Sequence, residues 1–151
     1  FTGMRCGWLT IPESLSDIAS AWKRRQATKF NGVPYIVQRA AEAALTPEGE
    51  RECRSLVSYY LGNAAILAKP LKKHGIFFTG GENSPYLFAR CPENAGSWDF
   101  FEHLLDTAGI VCTPGSGFGD CGDGWFRLSA FGKRKTVTEA AERLDRFFDR
   151  I

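Results

Sequence analysis

Two arginines stand where anion chemistry is possible. Arg127 lies in "WFRLS", alternating with Phe126 and Leu128, within a stretch 114–132, "PGSGFGDCGDGWFRLSAFG", that is rich in glycine. A guanidinium that points from such a strand into a cleft can fork onto a carboxylate through two parallel N–H bonds. The plain alternative is a cation on the solvent face of a strand. Arg5 lies between Met4 and Cys6, with Gly3 and Gly7 close by. Glycines beside a charged residue let a ligand approach the backbone, and a phosphate or carboxylate suits that cation. A surface arginine is again the plain alternative.

The glycines at 115, 117, 119, 122 and 124 suggest a phosphate loop, but their context argues otherwise. A dinucleotide loop needs a helix directly after it, so that free N–H groups meet the pyrophosphate. Here a strand-like run follows. The spacing does not fit a P-loop, and "DCGDG" lacks the ligand count of a calcium loop. A long connection between neighbouring strands remains. The run "KRR" at 23–25, with Trp22 and Lys29, reads as a solvated helix face rather than a nucleic-acid patch. His74 and His103 are isolated in sequence and are assigned no chemistry. The five cysteines, 6, 53, 91, 112 and 121, form no CxxC pair, so no zinc or other metal site is expected. Five free thiols fit a reducing cytoplasm.

The elements that must place these residues fit one ordinary domain or two small pieces. The chain has 151 residues, 44% hydrophobic and 24% charged, enough for a real core. A net charge of +2 lacks the basic bias of a nucleic-acid or membrane-surface protein. No apolar run approaches the roughly 18 residues of a membrane span. The first residues, "FTGMRCGWLTIP", already read as a strand over 4–11 with no leading loop, as expected of a piece of a longer protein.

Helices are expected from the Ser-x-x-acid start "SLSD" at 14–17, over "YIVQRAAEAAL", and from Thr46 as N-cap with Pro47 at the first helical position. The third keeps one face apolar to about residue 74, a length of roughly 40 Å, unless Pro70 kinks or ends it. Beyond Gly75 come short strand-like runs, "IFFT", "YLFARC", "GIVCT" and "WFRLSAF". A helix "SWDFFEHLLDTA" with Ser97 as N-cap lies among them, and a last helix follows the box Thr136-x-x-Glu139. The fold class is therefore α+β: residues 1–48 form one part, too small for its own core, and 49–151 a small sheet covered by helices.

The stretches "FTGMRCGW", "FNG", "LTPEG", "GGENSPYLF", "SWDFF", "PGSGFG" and "RLSAFG" run in order along nearly the whole chain. Together they resemble the C-terminal part of a class I/II, fold-type I aminotransferase dependent on pyridoxal 5'-phosphate. "FTGxRxGW" with "PGSGFG" resembles the diaminopimelate branch, whose members exchange an amino group between glutamate/2-oxoglutarate and tetrahydrodipicolinate/LL-diaminopimelate in lysine biosynthesis. The resemblance implies that 1–48 is a remnant of the large cofactor-binding domain, with its last strand and helices, and 49–151 the small C-terminal domain. It implies Arg5 as ligand of the cofactor phosphate and Arg127 as clamp on the substrate α-carboxylate. Asn31 would reach cofactor and substrate across a homodimer interface. Glu82 stands where relatives often carry lysine, so no role is drawn from "GGENSPYLF". The Schiff-base lysine is expected upstream of Phe1, leaving no catalytic residue within 1–151 and the piece inactive alone. The family setting implies a cytoplasmic enzyme with amino-acid and 2-oxo-acid partners, and no nucleic acid or membrane. An aspartate- or aromatic-type aminotransferase, or a non-catalytic α+β interaction module, are the alternatives.

Overall fold

The computed structural model describes residues 3–151. The described chain divides into two compact units, with the boundary between Ser55 and Leu56. In the first unit, a 3-10 turn at Glu13–Leu15 leads into α1, Ser16–Lys29, followed by α2, Tyr35–Ala44. Helix α3, Pro47–Lys73, then begins. Its start follows sequence logic: the Gly49 amide donates to Thr46 Oγ1 at 3.1 Å, and Pro47 fills the first position, where no amide is needed. No described residue of this unit is buried.

Two expectations fail in the local structure. Residues 4–11 form no strand. A strand exists only when its N–H and C=O groups are paired; here no ladder partner is found among the described residues, and Arg5 sits at φ 54°. "SLSD" does not cap a helix by its serine; helix α1 is entered through the 3-10 turn, without a side-chain cap. Helix α3 runs three residues past Pro70, itself buried, close to the end near residue 74 that its apolar face marks, so Pro70 does not end it.

The second unit holds the core. Its sheet is antiparallel, in the order β1-β2-β4-β3. The strands are β1, Phe78–Gly80; β2, Tyr86–Arg90; β3, Thr113–Pro114; and β4, Trp125–Ser129. Alternation sends Leu87, Ala89, Phe126 and Leu128 to one face, where they are buried. Helices α4, Ser97–Ala108, and α5, Arg134–Phe148, cover that face together with the C-terminal half of α3. Phe100 of α4, Leu144 and Phe147 of α5 and Leu71 of α3 join the same cluster, and the Phe100 and Phe126 rings lie 4.5 Å apart. Full burial of Phe126 contributes roughly 1.5–3 kcal/mol.

Two buried polar groups fix the connections. Asn63 of α3, fully buried, donates from Nδ2 to the carbonyls of Ala130 at 3.0 Å and Gly132 at 2.9 Å, tying down the turn between β4 and α5. Helix α5 starts two residues before Thr136, so the Thr136–Glu139 pair lies inside its first turns and does not cap it. The Arg134 amide instead donates to the Tyr59 hydroxyl at 2.7 Å. Ser97 is the first residue of α4 and Gly96 its N-cap; the Ser97 amide finds its acceptor on Asp123 at 2.9 Å.

Candidate carboxylate site on the open sheet face

The face of the sheet away from the helices carries Arg127. Register places Thr79, Phe88, Arg127 and Thr113 in one row across β1, β2, β4 and β3. Because Phe126 and Leu128 turn inward, Arg127 must turn out of the core, and it stands half-buried among aromatic rings. Its guanidinium carbon is 4.6 Å from the centre of the Tyr86 ring and 4.8 Å from that of Phe118. Arg127 Nη2 reaches Thr113 Oγ1 only at 3.5 Å. Its Nε is buried without an acceptor, and no carboxylate among the described residues pairs with it.

Those facts define what the site can bind. A half-buried cation whose Nε finds no protein acceptor is left to water or to an acceptor from outside the chain. A planar carboxylate satisfies the guanidinium edge while the rings shield it from water, which strengthens the ion pair. Phe88 and Trp125 extend the apolar surround, stacked at 5.3 Å with an interplanar angle of 4°.

The glycine stretch is the connection between paired strands β3 and β4, as its sequence context argued. It winds through two 3-10 turns, Gly115–Phe118 and Asp120–Gly122. The backbones of Gly115 and Gly122 meet so closely that a Cβ on either would strike the other's carbonyl. Asp123 Oδ1 accepts from the Ser97 hydroxyl at 2.7 Å as well as from its amide. These bonds, with the Gly124 amide, hold the Asp123 carboxyl below the usual carboxylate range. Asp123 is thus bound to protein donors, not arranged as a cation loop.

Arg5 and Asn31 belong to the first unit. Both are exposed and both adopt left-handed backbone, at φ 54° and 55°. Neither makes a side-chain hydrogen bond or ion pair within the described residues, so both side chains are available to a ligand. Around Arg5, an added Cβ on Gly3 or Gly7 would meet nothing within 4 Å, so the backbone there is open. Phe1 and Thr2, the start of "FTG", lie outside the described residues.

His74 is not isolated in space. Its Nε2 lies 2.8 Å from Asp145 Oδ1, a residue 71 positions on. His74, Asp145 and Asp149 could form a metal-ligand group by distance. The Lys73 ammonium already bonds Asp145 at 2.8 and 2.9 Å, which makes this an ion-pair cluster on the helices. The aromatic partners of Arg127 were also missed from sequence; Tyr86 is 41 residues away, and only the β2–β4 register, Tyr86 opposite Ser129, brings it near.

A small antiparallel sheet carries helices on one face and, on the other, Arg127 among aromatic rings with no acid partner among the described residues; this is an α+β domain. The family profile "Aminotransferase class I and II" matches residues 1–144, and the chain belongs to that family. Its members depend on pyridoxal 5'-phosphate. The chain is 48% identical over 153 aligned residues to an LL-diaminopimelate aminotransferase of Prochlorococcus marinus subsp. pastoris, covering 95% of this chain and 38% of that protein. Among solved structures it is similar to L,L-diaminopimelate aminotransferase from Chlamydomonas reinhardtii, with a TM-score of 0.80 and 38% identity over 87% of this chain and 32% of that one. An aminotransferase from Mycobacterium tuberculosis superposes with a TM-score of 0.81 at 26% identity, over 99% of this chain and 39% of that one. The chain therefore spans well under half the length of these relatives.

Proposed function

We propose that these 151 residues are the C-terminal part of a pyridoxal-phosphate aminotransferase that exchanges an amino group between glutamate/2-oxoglutarate and tetrahydrodipicolinate/LL-diaminopimelate. The observation that carries this reading is Arg127: a half-buried guanidinium with an unsatisfied Nε and no internal carboxylate partner. The names of the relatives in Prochlorococcus and Chlamydomonas support the choice of substrate. In this reading 1–48 is the remnant of the large cofactor-binding domain and 49–151 the small domain. The protein works as a cytoplasmic homodimer; that all five cysteines are free thiols supports a reducing compartment.

Pyridoxal phosphate, when bound, supplies the electron sink that lets the amino acid lose its α-proton. The residues of this chain bind and orient. Arg127 takes the α-carboxylate edge-on, so the substrate can rotate little and its Cα–H keeps one direction. Arg5, a permanent cation, takes the phosphate ester, and Asn31 offers an amide to cofactor or substrate.

The test is Arg127→Lys in the full-length protein. A point charge cannot reproduce the bidentate fork, so KM for both amino acids should rise at least about tenfold while cofactor content stays unchanged. Loss of cofactor at unchanged KM would reverse the roles given to Arg5 and Arg127. Comparing LL-diaminopimelate with aspartate and phenylalanine as donors decides the substrate; faster turnover of either of the latter overturns it.

A further inference from the structure

The glycine-rich connection is closed by a polar clamp, and the clamp leads to Arg127. Ser97, fully buried at the start of α4, makes three bonds: its amide and hydroxyl both donate to Asp123 Oδ1, and its Oγ accepts from the Ser116 amide at 3.2 Å. One side chain of α4 thereby holds both ends of the segment 116–123. The abutting backbones of Gly115 and Gly122 narrow the neck further. The Gly124 carbonyl accepts from the Cys91 amide at 2.8 Å, fixing the exit into β4. Phe118 lies within the closed segment, and its ring contacts the Arg127 guanidinium at 4.8 Å and the Phe88 ring at 6.1 Å.

We propose that Asp123 is a positioning residue for the carboxylate fork: through Ser97 it fixes the loop that sets Phe118 against Arg127. This rests on the reading of Arg127 as the substrate-carboxylate ligand. Two features require the clamp. Within these 151 residues Phe118 is 55% exposed, so their own packing does not hold it. The loop contains five glycines between 115 and 124, each adding backbone freedom that must be removed before the ring has one place. A carboxylate at the N-terminus of α4, accepting from a buried hydroxyl and the first amide, is a strong anchor because helix dipole and hydrogen bonds act together.

The experiment compares Asp123→Ala, Asp123→Asn, Phe118→Ala, the Ala/Ala double variant and Arg127→Lys in the full-length protein. Each is read by KM and kcat for the amino donor and by the calorimetric Kd of succinate, a carboxylate that does not turn over. Asp123→Ala and Phe118→Ala should each raise KM and Kd about tenfold with kcat within about twofold. The double variant should match either single one, since both act along one path. Asp123→Asn should fall between wild type and Asp123→Ala, because its Oδ1 can still accept from Ser97 but the charge that strengthens those bonds is gone. Phe118 is a surface ring, so its variant folds even if Asp123→Ala does not. A lowered melting temperature with unchanged KM and Kd in Asp123→Ala and Phe118→Ala overturns the proposal, as do additive effects in the double variant. If Arg127→Lys itself leaves KM and Kd unchanged, the carboxylate reading fails instead, and the two failures are told apart.

Discussion

Arg127 and Tyr86 face each other on the open side of the sheet, guanidinium carbon 4.6 Å from ring centre, with no acid to neutralise the cation. A site arranged for a ligand is not arranged for stability. The Arg127 Nε has no protein acceptor among the described residues, which counts against the folded state wherever neither water nor a ligand accepts from it. Arg127→Met keeps the aliphatic length, fits the aromatic surround and removes the orphan donor. Its melting temperature should equal the wild type's or exceed it by about 2–4 °C, while carboxylate binding is lost. A fall of more than about 5 °C in a thermal scan would show that the cation–ring contacts are structural.

The cysteines should split by burial. Burial pushes the Cys91 thiol up to about 12 and the Cys112 thiol up to about 11, the neighbouring Cys112 adding to the effect on Cys91. Only the thiolate reacts, so both should resist a disulfide reagent at pH 8 until the chain unfolds. Cys6 and Cys121 are exposed and should react at once. Mass mapping after brief labelling checks this; early labelling of Cys91 or Cys112 would mean that the sheet edge opens.

Much of this arrangement was legible from local pattern. Thr46–Pro47 marked the start of α3, apolar spacing carried it past Pro70, and alternation in "WFRLS" put Arg127 opposite the Phe126–Leu128 face. What was not legible depends on partners far away in sequence. The Ser97 amide is satisfied by Asp123, 26 residues on, and the Arg134 amide by Tyr59, 75 residues back, so local cap rules placed both helix starts wrongly. The run 4–11 has strand composition, but composition cannot supply the neighbour a strand must pair with. Tyr86 and Phe118 reach Arg127 only through sheet register and loop closure, which no spacing in the sequence encodes.

The Lys73–Asp145 pair joins the end of α3 to α5 and should give stability a defined pH window. The Lys73 ammonium, then His74, holds the Asp145 carboxyl below its ordinary value, and Asp145 in turn raises Lys73. A lowered acid stabilises above its unfolded value of about 3.9 and loses that contribution as pH falls through the folded value. A raised base stabilises below its unfolded value of about 10.4 and loses it as pH rises through the folded one. The pair therefore acts between about pH 4 and about pH 10. Asp145→Asn should be less stable than wild type at pH 7, and the gap should begin to shrink below about pH 4 and close as pH falls through the lowered folded value. Both groups are substantially exposed, so the gap should also shrink in 1 M salt, where screening is strong. Urea midpoints at pH 7 and pH 3, with and without salt, test this. A gap as large at pH 3 as at pH 7, and unchanged by salt, would assign the effect of Asp145 to packing rather than to charge.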